Sequence, residues 1–247
     1  MRPGFRLLLA ATVLCLTIAQ SAQAEADSTF AKANTDYAAG HFREAIAGYE
    51  SLVKARQWNT SLFYDLGNAH FRAGDLGRAI LNYERALALD PSQPEAQANL
   101  RLVRDQGRAL ELAKSWPEEH LGFLTPTQST WMAAAAFWGC AFIICGFYFA
   151  QRRPVAWIFA LVLLSALCAG SIFAVYEWEN RARNVAIVIG KNVQARLATA
   201  ENAGAVLALP AGSEIKILST RGNWIYAALP NELRGWLPAE STERVRL

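Results

Sequence analysis

Four hydrophobic patterns follow one another along the chain. After Arg2 and Arg6 comes a short apolar run, Leu7 to Ile18. From residue 25 to residue 115, apolar positions recur three and four apart among many charges, the period of amphipathic helices. Residues 131–150 and 155–176 contain no charged residue, and each run is long enough to cross a bilayer as a helix. From residue 185 the apolar positions break into short runs of β type, "VAIVI", "VQARL", "SEIKIL", "NWIYAAL" and "GWLP". Turn signals such as Pro210-Ala211-Gly212 and Arg221-Gly222-Asn223 separate them. The pattern predicts a multidomain chain with an α-helical array, two transmembrane helices and a small all-β barrel.

The helical part repeats. Aligning "YAAGHFREAIAGYESL" (residues 37–52) with "FRAGDLGRAILNYERAL" (residues 71–87) pairs Gly40 with Gly74, Ala45 with Ala79, Ile46 with Ile80 and Tyr49 with Tyr83, always at the same offset (74 − 40 = 34). That is the tetratricopeptide (TPR) period. Glycine between paired helices permits a tight turn, small alanines let helices approach, and the tyrosines fill the space between repeats. Asp90-Pro91 ends the second unit, because proline cannot continue the helical ladder. Leu66, Gly67, Ala79, Tyr83, Ala86 and Pro91 together match a nearly complete TPR signature. The following "PEAQANLRLVRDQGRALELA" resembles the capping helix that closes such an array. So short an array is expected to lean on a partner or on a second copy.

The apolar runs and their flanks predict a topology. Residues 1–24 have a secretory-signal layout, with a positive start, an apolar middle and Ala22-Gln23-Ala24 as the small-x-small cleavage site. "QRRP" (residues 151–154) makes a short cytoplasmic turn between the spans by the positive-inside tendency. The implied boundaries are: signal 1–24, TPR repeats with capping helix 25–115, linker 116–130, spans 131–150 and 155–176, linker 177–184, and barrel 185–247. Both soluble domains then lie on the exported side. Trp131, Trp157, Tyr176 and Trp178 suit the lipid interface, and Gly139, Gly146, Ser165, Ala169 and Gly170 suit close packing of the two spans.

Composition narrows the function. The chain is 53% hydrophobic and 18% charged, below the charge content of an average soluble domain, which places part of the apolar excess in lipid. The net charge of +3 comes from mixed signs with no basic run, which argues against a nucleic-acid partner. Cys15 lies in the signal and Cys140, Cys145 and Cys168 in the apolar runs, so the exported segments hold no cysteine for a disulfide, redox or zinc motif.

Catalytic motifs are missing. Three histidines are present, and the chain has no HExxH, GxSxG or phosphate-binding loop. His41 reads as a solvated turn residue, His70 as a packed imidazole in a position usually held by tyrosine, and His120 beside Glu118 and Glu119 as part of a wet loop. Neither cofactor nor metal is called for. Binding is the better class. The first helix of each repeat lines a concave groove, and helical spacing puts Phe30, Asn34 and Tyr37 there in one repeat and Tyr64, Asn68 and Phe71 in the next, with Arg72 at the edge. Asparagine offers both donor and acceptor to an extended peptide, and Arg72 offers a cation to a carboxylate. In the barrel, Trp224 and Tyr226 alternate on one strand and share a face. Facing outward they make a platform for a peptide or glycan, and facing inward they make core. Trp236 is read as core.

"LPAGSEIKIL", "GNWIYAAL" and "RGWLP" resemble a bacterial SH3-like domain. The order of signal, TPR pair, hairpin and SH3-like barrel, with "LGNAHFRAGDLGRAILNYERALALDPSQPEAQANL" (residues 66–100) as its sharpest piece, resembles the BatE-type proteins of aerotolerance operons. The resemblance implies a non-enzymatic scaffold in the bacterial inner membrane, linked to oxygen and stress tolerance. Its implied partners are membrane-anchored von Willebrand A-domain proteins and other products of the same operon. The alternative is attachment to cell-wall peptidoglycan or peptide through the SH3-like domain.

Overall fold

A computed structural model describes residues 24–113, 126–150 and 155–246. Residues 1–23 of the predicted signal, the turn at 151–154, and His120 with its neighbouring glutamates lie outside these residues, while Ala24, the signal's predicted last residue, is helical.

Five helices form the N-terminal array: α1 (residues 24–38), α2 (Phe42–Lys54), α3 (Thr60–Arg72), α4 (Leu76–Leu89) and α5 (Pro94–Gly107). The repeat signature explains how they pair. Gly40 and Gly74 sit in the turns at φ +82° and +80°, left-handed values that favour glycine. Asn59 and Asp75 cap α3 and α4 by accepting from the Leu62 and Arg78 amides, and Pro94 occupies the first turn of α5. Ala45, Tyr49, Ala79 and Tyr83 are fully buried. A Cβ on Gly67 would lie 2.8 Å from the Tyr83 ring, and one on Gly48 would lie 2.9 Å from Ala33 Cβ, so both glycines set the distance between helices.

Two long apolar helices follow, α6 (Pro126–Ala150) and α7 (Val155–Asn184), and they pack on each other. Gly139 faces Leu164, whereas Gly146 and Gly170 meet nothing within 4 Å of a built Cβ. Trp131, Phe137, Trp138, Phe142, Phe159 and Leu163 stand exposed. Two spans are predicted, but among the described residues only Gln128–Gly146 has the length and composition to cross a membrane, and the apolar stretch in α7, Ile158–Phe173, is shorter. Helix α7 continues past its apolar part to Asn184. The segment 177–184, predicted as a linker, is therefore helical, as is the end of the predicted 116–130 linker from Pro126.

Asn184 passes directly into an antiparallel sheet of β1 (Val185–Val188), β2 (Val193–Arg196), β3 (Ala205–Leu209), β4 (Glu214–Arg221), β5 (Trp224–Ala228), β6 (Arg234–Pro238) and β7 (Thr242–Arg244). Its order is β3-β2-β6-β5-β4-β1-β7. Alternation gives it a core of Ala186, Val188, Ala195, Ile215, Ile225 and Leu237.

The array and the sheet domain are docked. Ile80, Leu81 and Val103 share one buried cluster with Ile187 and Val245. Support for the short array, expected from a partner or a second copy, comes here from the chain's own C-terminal domain. Helix α4 makes this possible by burying residues around most of its circumference, Gly77, Ile80, Leu81, Asn82, Tyr83 and Arg85 among them. A Cβ on Gly77 would come within 3.1 Å of the Val188 carbonyl oxygen, so glycine is what lets β1 lie against α4. Gly212, at φ +92°, approaches the Ile80 side chain in the same way.

Candidate functional site

Helices α1, α3 and α5 present one face of the array. Asn34 and Asn68, predicted there as peptide clamps, lie where the repeat puts them, but their oxygens are already engaged. The Tyr49 hydroxyl donates to Asn34 Oδ1 at 2.6 Å, and the Tyr83 hydroxyl donates to Asn68 Oδ1 at 2.7 Å. The sequence separation is the same in both pairs, so each repeat carries the same internal lock. Burial pushes both tyrosine hydroxyls well above their ordinary pKa, which keeps them neutral donors. Each asparagine oxygen is thus engaged by the tyrosine of its own repeat. In the second repeat, Asn99 of α5 adds its own amide, donating to Asn68 Oδ1 at 3.0 Å and to the Tyr64 hydroxyl at 3.3 Å.

The other predicted groove residues divide. Tyr64 is half-buried, with its ring 6.0 Å from that of Tyr83, and Tyr37 is half-buried, edge-on to Phe42 at 5.6 Å. Phe30 packs 5.8 Å from Tyr49. Phe71 turns toward the cluster shared with the sheet domain. Arg72 lies over the Phe42 ring, 5.0 Å from its centroid, which draws its guanidinium toward the α1–α2 turn. A cleft of 290 Å³ opens at the other end of α1, lined in part by Phe30, Trp58 and Leu62.

Sequence reasoning passes over Asp65. This residue is half-buried on α3, and burial raises its carboxyl from the ordinary range to about 6. It interacts electrostatically with the Tyr49 and Tyr83 hydroxyls. The available signal is positional: one repeat later the same site is Asn99, and one repeat earlier it is Ala31. His70 is buried as predicted, and burial holds it at about 4, neutral at physiological pH. Its contact with Glu50, 3.9 Å, is therefore no ion pair there.

The docking surface carries two arginines that do not stand out in the sequence. Arg85 is buried and donates from Nη2 to Glu243 at 2.7 Å and to the Arg244 carbonyl at 2.9 Å, and from Nε to the Val245 carbonyl at 3.2 Å. Arg104 binds Glu84 at 2.5 Å and also Glu214, with Glu111 at 3.6 Å. The segment following α5 continues the seam, with the Glu214 amide donating to the Leu110 carbonyl at 2.8 Å and the Leu110 amide to Ser213 Oγ at 3.1 Å.

On the sheet domain, Ile225 and Ala227 point inward, while Trp224 and Tyr226 are half-buried on the outer face. Trp236 joins them there, its ring 5.0 Å from that of Tyr226. This corrects the core assignment of Trp236. Strand β6 buries Gly235 and Leu237 instead, and the small Gly235 faces Ala195, whose Cβ would lie 3.0 Å from a Cβ built there. Register sets Arg196 opposite Trp236 and Arg221 opposite Trp224, so cations border the aromatic patch.

A tetratricopeptide-repeat family model matches residues 30–94 and again residues 64–119. The two matches start at 30 and 64, the same offset that separates the two internal locks. Comparison with curated proteins finds no match. Residues 30–119 thus carry tetratricopeptide repeats, units that act in general as protein-binding scaffolds rather than enzymes.

Proposed function

We propose that this chain is a non-enzymatic, membrane-anchored scaffold of the bacterial cell envelope, of the BatE type, whose array binds partner membrane proteins. The observation that carries the reading is the division of the array's surfaces. The sheet domain and the C-terminal strand cover α4, whereas the α1–α3–α5 face keeps half-buried tyrosines and amide donors open. The partners in this reading are membrane-anchored von Willebrand A-domain proteins, and the sheet domain is SH3-like.

Topology supports anchoring by both apolar helices. Arg85–Glu243 and Arg104–Glu214 join the array to the sheet domain, which requires both to lie on one side of any bilayer. The intervening segment must then cross an even number of times. Two crossings by α6 and α7 meet that requirement and one does not. With the predicted signal, the common side is the periplasm.

The test is affinity purification of the full chain from detergent-solubilised native membranes, comparing wild type with Ala98→Trp. Ala98 is the exposed α5 counterpart of Tyr64, so tryptophan there fills the open face without disturbing the Tyr–Asn locks. A-domain membrane proteins should accompany wild type and be lost with the variant. Recovery of the same proteins with both sinks the reading. A second reading, attachment to the cell wall, is favoured by the outward Trp224–Tyr226–Trp236 patch. Its cationic border suits anionic wall polymers or peptide carboxylates. Retention of wall fragments by wild type, and their loss in Trp224→Ala with Tyr226→Ala, would favour it.

A further inference from the structure

The open face of the array is uniform in its locks and irregular in its charge. At the position where α5 offers the Asn99 amide to the lock of the preceding repeat, α3 offers the Asp65 carboxylate to the lock of Asn34 and Tyr49. A carboxylate has no proton to donate to Asn34 Oδ1, so the bridge made in the second repeat is not made in the first. Among the described residues Asp65 has neither a hydrogen-bond nor an ion-pair partner. The exposed Asp27 and Glu95 stand at matching positions of α1 and α5. The nearest predicted groove cation, Arg72, is drawn to Phe42. The face is therefore acidic at its centre and flanked by two half-buried tyrosines, Tyr37 and Tyr64.

We propose that this face takes an extended peptide segment carrying an arginine or lysine, with the cation on Asp65 between Tyr37 and Tyr64. The inference rests on the peptide-scaffold reading above and specifies its partner. Charge complementarity selects the occupant: an anionic chain end, which a basic groove would hold, meets a carboxylate here. A cation beside a carboxylate makes charge-assisted hydrogen bonds, and tyrosine faces add cation–π attraction. Burial keeps the Asp65 carboxyl raised to about 6, so in the free protein at neutral pH the carboxylate is ionised at a cost that a bound cation relieves.

The experiment uses the full chain in detergent micelles and a positional-scanning library of N-acetylated, C-amidated octapeptides, which carry no terminal charge. Wild type should select arginine or lysine over aspartate or glutamate at one fixed position by about tenfold. Asp65→Asn, which keeps shape and removes charge, should bring that ratio below about twofold while overall library binding persists, and Asp65→Lys should reverse it. Ala98→Trp should abolish library binding altogether. A wild type that selects acidic residues, shows no charge preference, or keeps its preference in Asp65→Asn overturns the inference while leaving the groove as a peptide site. Binding that survives Ala98→Trp, or no wild-type binding at about 1 mM peptide, overturns the groove reading as well. Circular dichroism of each variant establishes that it is folded.

Discussion

At the residue scale, Asp65 and His70 pull stability in opposite directions with pH. The Asp65 carboxyl is raised in the folded chain, from 3.8 to about 6, so the folded state holds its proton more tightly than the unfolded one. Its effect is a loss of stability as pH rises from about 4 to about 6. His70 is lowered from 6.5 to about 4, so the unfolded state binds the proton more tightly, and stability is lost as pH falls from about 6.5 to about 4. The two windows overlap and partly cancel. We expect Asp65→Asn to stabilise the protein at pH 7 by about 1 kcal/mol, discounted for partial exposure. The same change should uncover the His70 slope, so that stability rises steadily from pH 4 to pH 6.5 in urea denaturation. A variant whose pH profile matches wild type would show that Asp65 is solvated. The locks predict a different cost. Asn68→Ala leaves the buried Tyr83 hydroxyl without its acceptor, a loss of about 1–3 kcal/mol. A binding defect in such a variant would therefore be confounded with instability, which is why a groove-filling change is the cleaner probe.

At the scale of elements, α4 holds most of the tertiary structure together. One side closes the repeat through Tyr83 and Ala79, and the other receives β1 and the C-terminal strand through Gly77, Ile80 and Arg85. Gly77→Val should separate β1 from α4, because the Val188 carbonyl and Ile189 Cα lie within 3.2 Å of a built Cβ. Arg85→Ala should cost about 2–4 kcal/mol, less than a fully buried ion pair because Glu243 is partly exposed. Hydrogen exchange should show the loss first in residues 242–246. The repeat elements are readable in the sequence because their determinants are local and recur from one repeat to the next. Gly40, Gly74, Tyr49 and Tyr83 each sit as the period requires. The sheet is partly readable. The alternating runs mark β1, β2, β4, β5 and β6, while β3 (in "AGAVLALP") and the short β7 carry too little pattern to stand out. The docking is not readable, since Arg85 and Val245 come together across a sequence separation of 160 and neither looks unusual among its sequence neighbours. Trp236 misleads for a related reason: a large aromatic in a small sheet suggests core, yet only the pairing register decides which side of the sheet it takes.

At the scale of the whole molecule, the contact between array and sheet domain constrains the topology of the membrane-anchored reading proposed above. With the native cysteines replaced, single cysteines at Ser92 of the array and Ser219 of the sheet domain should react with an impermeant maleimide from the same side of intact cells' inner membranes. Gln151, between the apolar helices, should react only from the other. Labelling of Ser92 and Ser219 from opposite sides would be incompatible with the Arg85 and Arg104 contacts.

The same contact also sets an order of events during synthesis. Ile80 and Leu81 leave the ribosome long before Ile187 and Val245, which cover them, so α4 must wait with an apolar flank uncovered while the two apolar helices are made and placed. A chain stopped after residue 113 would keep that flank bare permanently. It should self-associate on light scattering at concentrations where the complete chain does not, and a chaperone should be needed most in that interval, when the array exists and its lid does not.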